Sequence, residues 1–163
     1  MRQLPSGTVT LLFTDIEGST RMWDAHPADM QVALARHDVL LREAIDAANG
    51  YVFKTVGDAF CAAFDTAADA LQAAVVAQRT VGAAPWPAST PIRVRMGLHS
   101  GTCEERDGDY FGSVVNRAAR LEAIAHGGLM EGPCAYSWVF AACGVRAIDT
   151  TSADLLGRSG YIH

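Results

Sequence analysis

The elements legible in this sequence run strand, helix, hairpin, helix, strand, hairpin, helix. That order predicts an α+β fold of the ferredoxin-like sandwich type, with helices packed on one face of a mainly antiparallel sheet. Length and composition agree with one such unit. At 163 residues the chain has the size of a single domain, enough to bury a core and too short for two. Half of the residues are apolar and 19% are charged, with no Pro/Ser-rich or charge-block segment, no internal repeat and no linker, so composition gives no reason to expect disorder.

The run TVTLLFTD, Thr8 to Asp15, is rich in β-formers, with Val9, Leu11 and Phe13 on one face and Thr10, Leu12 and Thr14 on the other. It reads as a strand covered on both sides. It leads into IEGST, where Gly18 permits a tight turn and Ser19 or Thr20 can cap the next helix. Pro27 suits the first turn of a helix, and Leu34, Leu41, Ile45 and Ala48 recur at helical spacing until Asn49-Gly50 stops it. YVFKTVGDAFCAAF gives two short β-rich runs around Val56-Gly57-Asp58, a hairpin with Asp58 at or beside its tip. Thr66 and Asp69 have the spacing of a capping box and open an Ala-rich helix through about Val81, ended by GAAPWPASTP. In PIRVRMGLHSG, Ile92, Val94, Met96 and Leu98 alternate with Arg93, Arg95, Gly97 and His99, a strand with one face on the core. CEERDGDYFG is a polar hairpin turning at Asp107-Gly108, and SVVNRAARLEAIAHGG is helical until Gly127-Gly128.

Charge narrows the class of partner. The net charge is −5 and the basic residues are scattered, which argues against nucleic acid and against an anionic membrane surface. No apolar run approaches the roughly 18 residues that a membrane span needs, and MRQLPSGTVT lacks the apolar stretch of a signal peptide, so the expected location is the cytoplasm. Cys61, Cys103, Cys134 and Cys143 have no C-x-x-C spacing, which argues against a zinc site or a disulfide framework. Of the thirteen basic residues twelve are Arg, and the only lysine is Lys54. A compact ammonium is chemically distinct from a guanidinium, although one lysine also survives by drift in an Arg-rich chain.

Asp15 ends the first strand and Asp58 sits at a hairpin turn. If the two strands are neighbours, both carboxylates reach the same rim of the sheet, where they suit a hard divalent ion such as Mg²⁺. The plainer alternative is that each Asp caps a turn. Gly18, Ser19 and Thr20 offer backbone N–H groups at a helix start, a cradle for phosphate beside that ion. Asn116 and Arg120 are spaced i, i+4 and face the same way, either to contact sugar and phosphate together or as a solvated polar face.

FTDIEGSTRMW, FKTVGDAF, VRMGLHSG and DGDYFGSVVNRAARL occur in the order and spacing of class III adenylate and guanylate cyclases. The sequence resembles the bacterial branch of that family, especially actinobacterial cyclase domains, from Thr8 to about Gly128. The resemblance implies that Asp15 and Asp58 bind two metal ions, Mg²⁺ or Mn²⁺, with the backbone carbonyl of Ile16 as a further ligand. It implies that Lys54 and Asp109 read the adenine edge, that Asn116 orients the ribose and that Arg120 stabilises the transition state. In the family the metal aspartates of one protomer meet the purine, ribose and arginine positions of another, so the implied unit is a homodimer with shared sites. Adenine presents an acceptor at N1 and a donor at its amine, which an ammonium and a carboxylate complement, and guanine reverses that pattern. The implied activity is therefore conversion of ATP to 3′,5′-cyclic AMP and pyrophosphate.

Residues 1–128 form the cyclase catalytic domain on this reading, and residues 129–163 a divergent tail of the same domain. The family continues with closing strands, the last of which carries a lysine for the triphosphate. Here LMEGPCAYSWVFAACGVRAIDTTSADLLGRSGYIH contains no lysine, and Arg146 and Arg158 are the remaining cations. The tail is therefore not expected to complete the sheet. It keeps open an alternative, a catalytically inert cyclase-like domain that acts as a nucleotide-binding or dimerisation partner.

Overall fold

The computed structural model describes residues 4–125, 130–133 and 145–148. In chain order the elements are β1 (Thr8–Ile16), α1 (Ser19–Ala25), α2 (Pro27–Ala47), β2 (Tyr51–Val56), β3 (Ala59–Phe64), α3 (Ala67–Ala83), β4 (Val94–Thr102), β5 (Glu104–Arg106), β6 (Asp109–Phe111), α4 (Ser113–Ile124), β7 (Met130–Pro133) and β8 (Val145–Ile148). The main sheet has the strand order β2-β3-β1-β4-β7-β8, and β5-β6 forms a separate ribbon. β1 is central, antiparallel to β3 with Thr14 opposite Phe60 and antiparallel to β4 with Asp15 opposite Arg95.

The predicted α+β class is the observed one, and alternation along β1 explains how its layers are filled. Leu12 and Ile16 point into a core with Phe60, Phe64, Val94 and Met96, covered by Met30, Leu41 and Ile45 of α2 and by Ala70, Ala73, Ala74 and Ala77 of α3. The small alanine face lets α3 sit close to the sheet, and each fully buried Phe or Leu contributes about 1.5–3 kcal/mol. Val9 and Leu11 point the other way, into a second core with Ala63, Tyr110, Val114 and Ala118. Helices thus cover both faces rather than one, α2 and α3 on one side and α4 with the β5-β6 ribbon on the other.

β4 differs from its one-sided expectation for the same reason. Gly97 and His99 are buried along with Val94, Met96 and Leu98, because α4 lies on their face. Gly97 is the point of closest approach: a Cβ there would stand 2.4 Å from the backbone nitrogen of Glu122. Only glycine lets helix and strand meet that tightly.

Local signals account for most boundaries. Thr66 caps α3, its Oγ1 accepting the N–H of Asp69 at 3.1 Å and donating to Asp69 Oδ2 at 2.8 Å. The β2-β3 turn is Gly57-Asp58, with Gly57 at φ 59°. Asp107 and Gly108, at φ 55° and 82°, make the two-residue turn between β5 and β6. The start of α1 departs from expectation. Neither Ser19 nor Thr20 caps it, since the chain leaves β1 through a left-handed Gly18 (φ 71°) that is itself the N-cap, and Ser19 and Thr20 become the first helical residues. His26, at φ −141° and ψ 61°, is neither helical nor extended and separates α1 from α2, with Pro27 opening the second helix.

Two segments of the tail are also described. β7 pairs parallel with β4 at Met96 and Gly97, and β8 pairs parallel with β7. Two short strands therefore extend the sheet beyond β4, with Arg146 on β8. Arg158, Cys134 and Cys143 lie outside the described residues.

Candidate active site

The end of β1 and the β2-β3 turn meet. Because β3 lies beside β1, the turn residue Asp58 arrives next to the last residues of β1, and its Oδ2 accepts the backbone N–H of Ile16 at 2.8 Å. Asp15, Ile16 and Asp58 are thereby brought to one rim of the sheet. On the other side of β1, Arg95 stands directly across from Asp15 and forks onto its carboxylate, Nε donating to Oδ1 at 2.7 Å and Nη2 to Oδ2. The fork holds the Arg95 guanidinium more firmly protonated than usual. α4 adds Glu122, whose Oε1 lies 3.5 Å from Arg95 Nε. The Asp15, Arg95 and Glu122 side chains are 23%, 28% and 16% exposed, a half-sheltered cluster in which charges interact more strongly than in open water. Burial, and next the adjoining Asp15 carboxylate, push the Glu122 pKa well above the usual carboxylate range.

A second cluster lies where β2 meets β6. Lys54 donates through Nζ to Asp109 Oδ2, and Asp109 Oδ1 accepts the N–H of Tyr110 at 2.8 Å. The hydrogen bond from Lys54 lowers the Asp109 pKa, and Asp109 raises that of Lys54. Their platform is aromatic: Phe53 meets Tyr110 edge-on at 4.9 Å between ring centroids and Phe13 at 6.2 Å, and the Tyr110 hydroxyl donates to the Pro5 carbonyl at 2.7 Å. Lys54 is 48% exposed, so the pair is open to a ligand.

Asn116 and Arg120 occupy the outer face of α4, both outside its buried stripe and one turn apart, while Val114, Ala118 and Leu121 anchor its inner face. Among the described residues neither forms a hydrogen bond or ion pair with the Asp15–Asp58 rim or with Lys54 and Asp109. Gly18, Ser19 and Thr20 lie just beyond Ile16 at the start of α1, and Gly18 borders an open cavity of about 530 Å³ that Arg21 and Arg93 also line.

Arg95 and Glu122 are site residues that the sequence does not single out. The signal for Arg95 is its register: once β1 and β4 are paired through the alternation of VRMGLHSG, Arg95 falls opposite Asp15. Glu122 carries no such signal, since its place depends on how deeply α4 settles at Gly97.

Two carboxylates and a nearby carbonyl are a hard oxygen donor set, suited to an ion that takes its remaining ligands from water and phosphate. Among the described residues no group of three His, Cys, Asp or Glu side chains is arranged to hold a metal by itself. None of the described helices is long and apolar enough to cross a membrane.

Comparisons with known proteins bear on the family of the chain. An uncharacterized protein of Mycobacterium tuberculosis is 45% identical over 126 residues, covering 76% of this chain and 42% of that protein. The chain thus spans about two fifths of the length of that relative. The adenylate cyclase of Schizosaccharomyces pombe is 34% identical over 149 residues, 76% of this chain and 9% of the yeast protein. Among solved structures, an adenylate cyclase from Trypanosoma brucei in its monomeric state superposes with a TM-score of 0.73 at 33% identity, covering 78% of this chain and 74% of that one. An adenylate/guanylate cyclase/hydrolase from Silicibacter pomeroyi gives 0.59 at 35% identity, over 74% and 71% of the two chains. The family model for the adenylate and guanylate cyclase catalytic domain matches residues 1–131, and the chain belongs to that family.

Proposed function

We propose that this domain is an adenylate cyclase, closing ATP into 3′,5′-cyclic AMP and pyrophosphate in a cytoplasmic homodimer. The observation that carries the reading is the meeting of Asp58 with the end of β1, where its carboxylate bonds the Ile16 amide. That bond anchors one oxygen of Asp58 beside Asp15 and leaves the other oxygen available to a cation. Asp15, Asp58 and the Ile16 carbonyl would hold two ions, Mg²⁺ or Mn²⁺, which supply an acidified ribose 3′-hydroxyl and neutralise the triphosphate.

The remaining work falls to the chain. Lys54 donates to adenine N1 and Asp109 accepts from the exocyclic amine, exchanging their mutual ion pair for the purine edge. Asn116 orients the ribose, and the Gly18, Ser19 and Thr20 amides receive phosphate oxygens at the start of α1. As the 3′-oxygen bonds to the α-phosphorus and the bond to pyrophosphate breaks, charge grows on the phosphoryl oxygens, where the Arg120 fork stabilises it. Arg120 and Asn116 face outward and, among the described residues, form no hydrogen bond or ion pair with their own rim, which fits delivery to the site of a second copy. The 34% identity to a yeast adenylate cyclase and the 33% identity to the trypanosomal adenylate cyclase favour ATP over GTP.

The test is cyclic nucleotide formation by purified protein from Mn-ATP and from Mn-GTP. Cyclic AMP at a rate that Asp15→Ala removes supports the reading, and turnover of GTP alone overturns the purine assignment. The absence of any lysine after Gly128 favours a second reading, an inert partner domain, which predicts nucleotide binding or dimerisation without turnover.

A further inference from the structure

The fork between Arg95 and Asp15 leaves one atom of the site unsatisfied. Glu122 Oε1 is buried, accepts no hydrogen bond and lies 3.5 Å from Arg95 Nε, which donates to Asp15 Oδ1 at 2.7 Å instead. A buried acceptor without a donor is costly and calls for an explanation. Its place is fixed by packing: the Glu122 backbone rests on Gly97, two residues along β4 from Arg95, too close to admit a Cβ. Two carboxylates thus compete for one guanidinium, and Asp15 holds it with both oxygens.

A divalent cation on Asp15, as the proposed function requires, would face the guanidinium across the same carboxylate. Like charges so near repel strongly where solvent is partly excluded. Arg95 then needs another acceptor, and Glu122 Oε1 already stands a few tenths of an ångström beyond hydrogen-bond reach. We propose that Glu122 is a positioning residue that receives Arg95 when a metal ion takes Asp15, making Arg95 a latch with two resting places. The inference rests on the reading of Asp15 as a metal ligand.

Binding of Mn²⁺ alone to the full chain, followed by the paramagnetic resonance of free Mn²⁺, tests it without turnover. Glu122→Gln removes the charged resting place and should weaken Mn²⁺ binding roughly 10-fold, while Glu122→Asp should restore it to within about 3-fold. In an Arg95→Met background no latch exists, so adding Glu122→Gln should change affinity by less than about 3-fold. A Glu122→Gln effect of equal size in both backgrounds overturns the proposal, because the carboxylate then acts directly on the ion or through its general field. No Glu122→Gln effect in the parent overturns it as well. Should Glu122→Gln not fold, as judged by thermal melting, Arg95→Lys carries the test. A single ammonium cannot fork onto both Asp15 oxygens, so Mn²⁺ binding should tighten several-fold, and unchanged affinity defeats the latch. Asp15→Asn separates the two levels. Mn²⁺ affinity indifferent to Asp15→Asn removes the metal reading and this inference together, whereas dependence on Asp15 without the Glu122–Arg95 coupling removes only the latch.

Discussion

Asp58 Oδ2 accepts the backbone N–H of Ile16 at 2.8 Å, so the turn of one hairpin is tied to the end of the first strand. The same side chain therefore has a structural task and a proposed metal task, and substitution can separate them. Asp58→Asn keeps an oxygen acceptor for Ile16 but loses the charge; Asp58→Ala loses both. Asparagine should leave melting close to the parent while abolishing metal-dependent cyclic AMP formation, and alanine should lower both, the structural part by about 1–3 kcal/mol. Asp15→Ala should abolish turnover as well. Unchanged turnover in Asp58→Asn would falsify the metal assignment and leave Asp58 as a turn residue.

Purine choice depends on the Lys54–Asp109 pair. Both groups lie in one protomer and neutralise each other in the absence of ligand, so the pair is a preformed donor and acceptor of fixed spacing. Replacing Lys54 by Glu and Asp109 by Ser should weaken ATP use by about 10-fold or more, since adenine N1 would face an acceptor with no proton to share. The measurement is the ratio of kcat/KM for ATP and GTP. A ratio equal to the parent's moves specificity to other residues.

Assembly is tested by mixing. Asp58→Ala chains lack the metal side of the site and Arg120→Ala chains the transition-state side, so a heterodimer should contain one intact site if the two sides come from different protomers. Activity should appear on mixing two inactive preparations. A mixture that stays inactive after subunit exchange has been demonstrated places both sides in one chain. Arg120→Ala alone should lower kcat by roughly 10²-fold with little change in KM.

How much of the fold and site is legible in the sequence depends on the range of each interaction. Thr66 capping, the Gly57-Asp58 turn and the Asp107-Gly108 turn are local, and the sequence predicts each of them. Alternation in β1 and β4 assigns faces correctly, yet it cannot reveal that α4 covers the second face of β4, because that depends on Gly97 admitting a helix backbone. The Gly18 cap at α1 is hidden because the exit angle from β1, rather than side-chain capping strength, decides where that helix begins. Arg95 and Glu122 are hidden for a related reason: their roles arise from cross-strand register and helix depth, which leave no mark within a single segment.

His37 makes stability depend on pH. It sits on α2, fully buried, with Nδ1 2.9 Å from Asp38 Oδ1, Nε2 without a partner, and its ring edge-on to Phe60. Burial lowers its pKa from the usual 6.5, while Asp38 and, more weakly, Asp58 act in the opposite direction. The Arg42 guanidinium lies over the same Phe60 ring. With the folded pKa below the unfolded one, the unfolded chain binds the extra proton first. The His37 contribution is therefore intact above about pH 6.5 and is lost as pH falls through the folded pKa, by up to about 1.4 kcal/mol per pH unit. His37→Phe should flatten the decline in melting temperature between pH 7 and 5. An identical slope in parent and variant would assign the acid sensitivity elsewhere, with the buried His99 the next group to test.

At Gly97 fold and site share one contact. A methyl group there would lie 2.4 Å from the Glu122 nitrogen and 2.9 Å from its Cα. These are backbone atoms of α4, which cannot rotate aside as a side chain can, so the helix must lift or slide. Overpacking of this kind costs about 1–3 kcal/mol, or a fall of roughly 2–12 °C in melting temperature for a chain of this size. The displacement also moves Glu122 from Arg95 and shifts Asn116 and Arg120, which share the helix. Gly97→Ala should therefore reduce kcat beyond what its loss of folded protein explains, with Lys54 and Asp109 still selecting ATP over GTP. Gly101→Ala is the control: its Cβ would meet the Val114 side chain at 2.6 Å, near the other end of α4 and away from Glu122. If both variants lose stability but only Gly97→Ala loses kcat per folded molecule, the depth of α4 at Glu122 is what the reaction requires. Equal losses of kcat would show that any disturbance of α4 suffices, and an unperturbed Gly97→Ala would show that the helix yields at no cost.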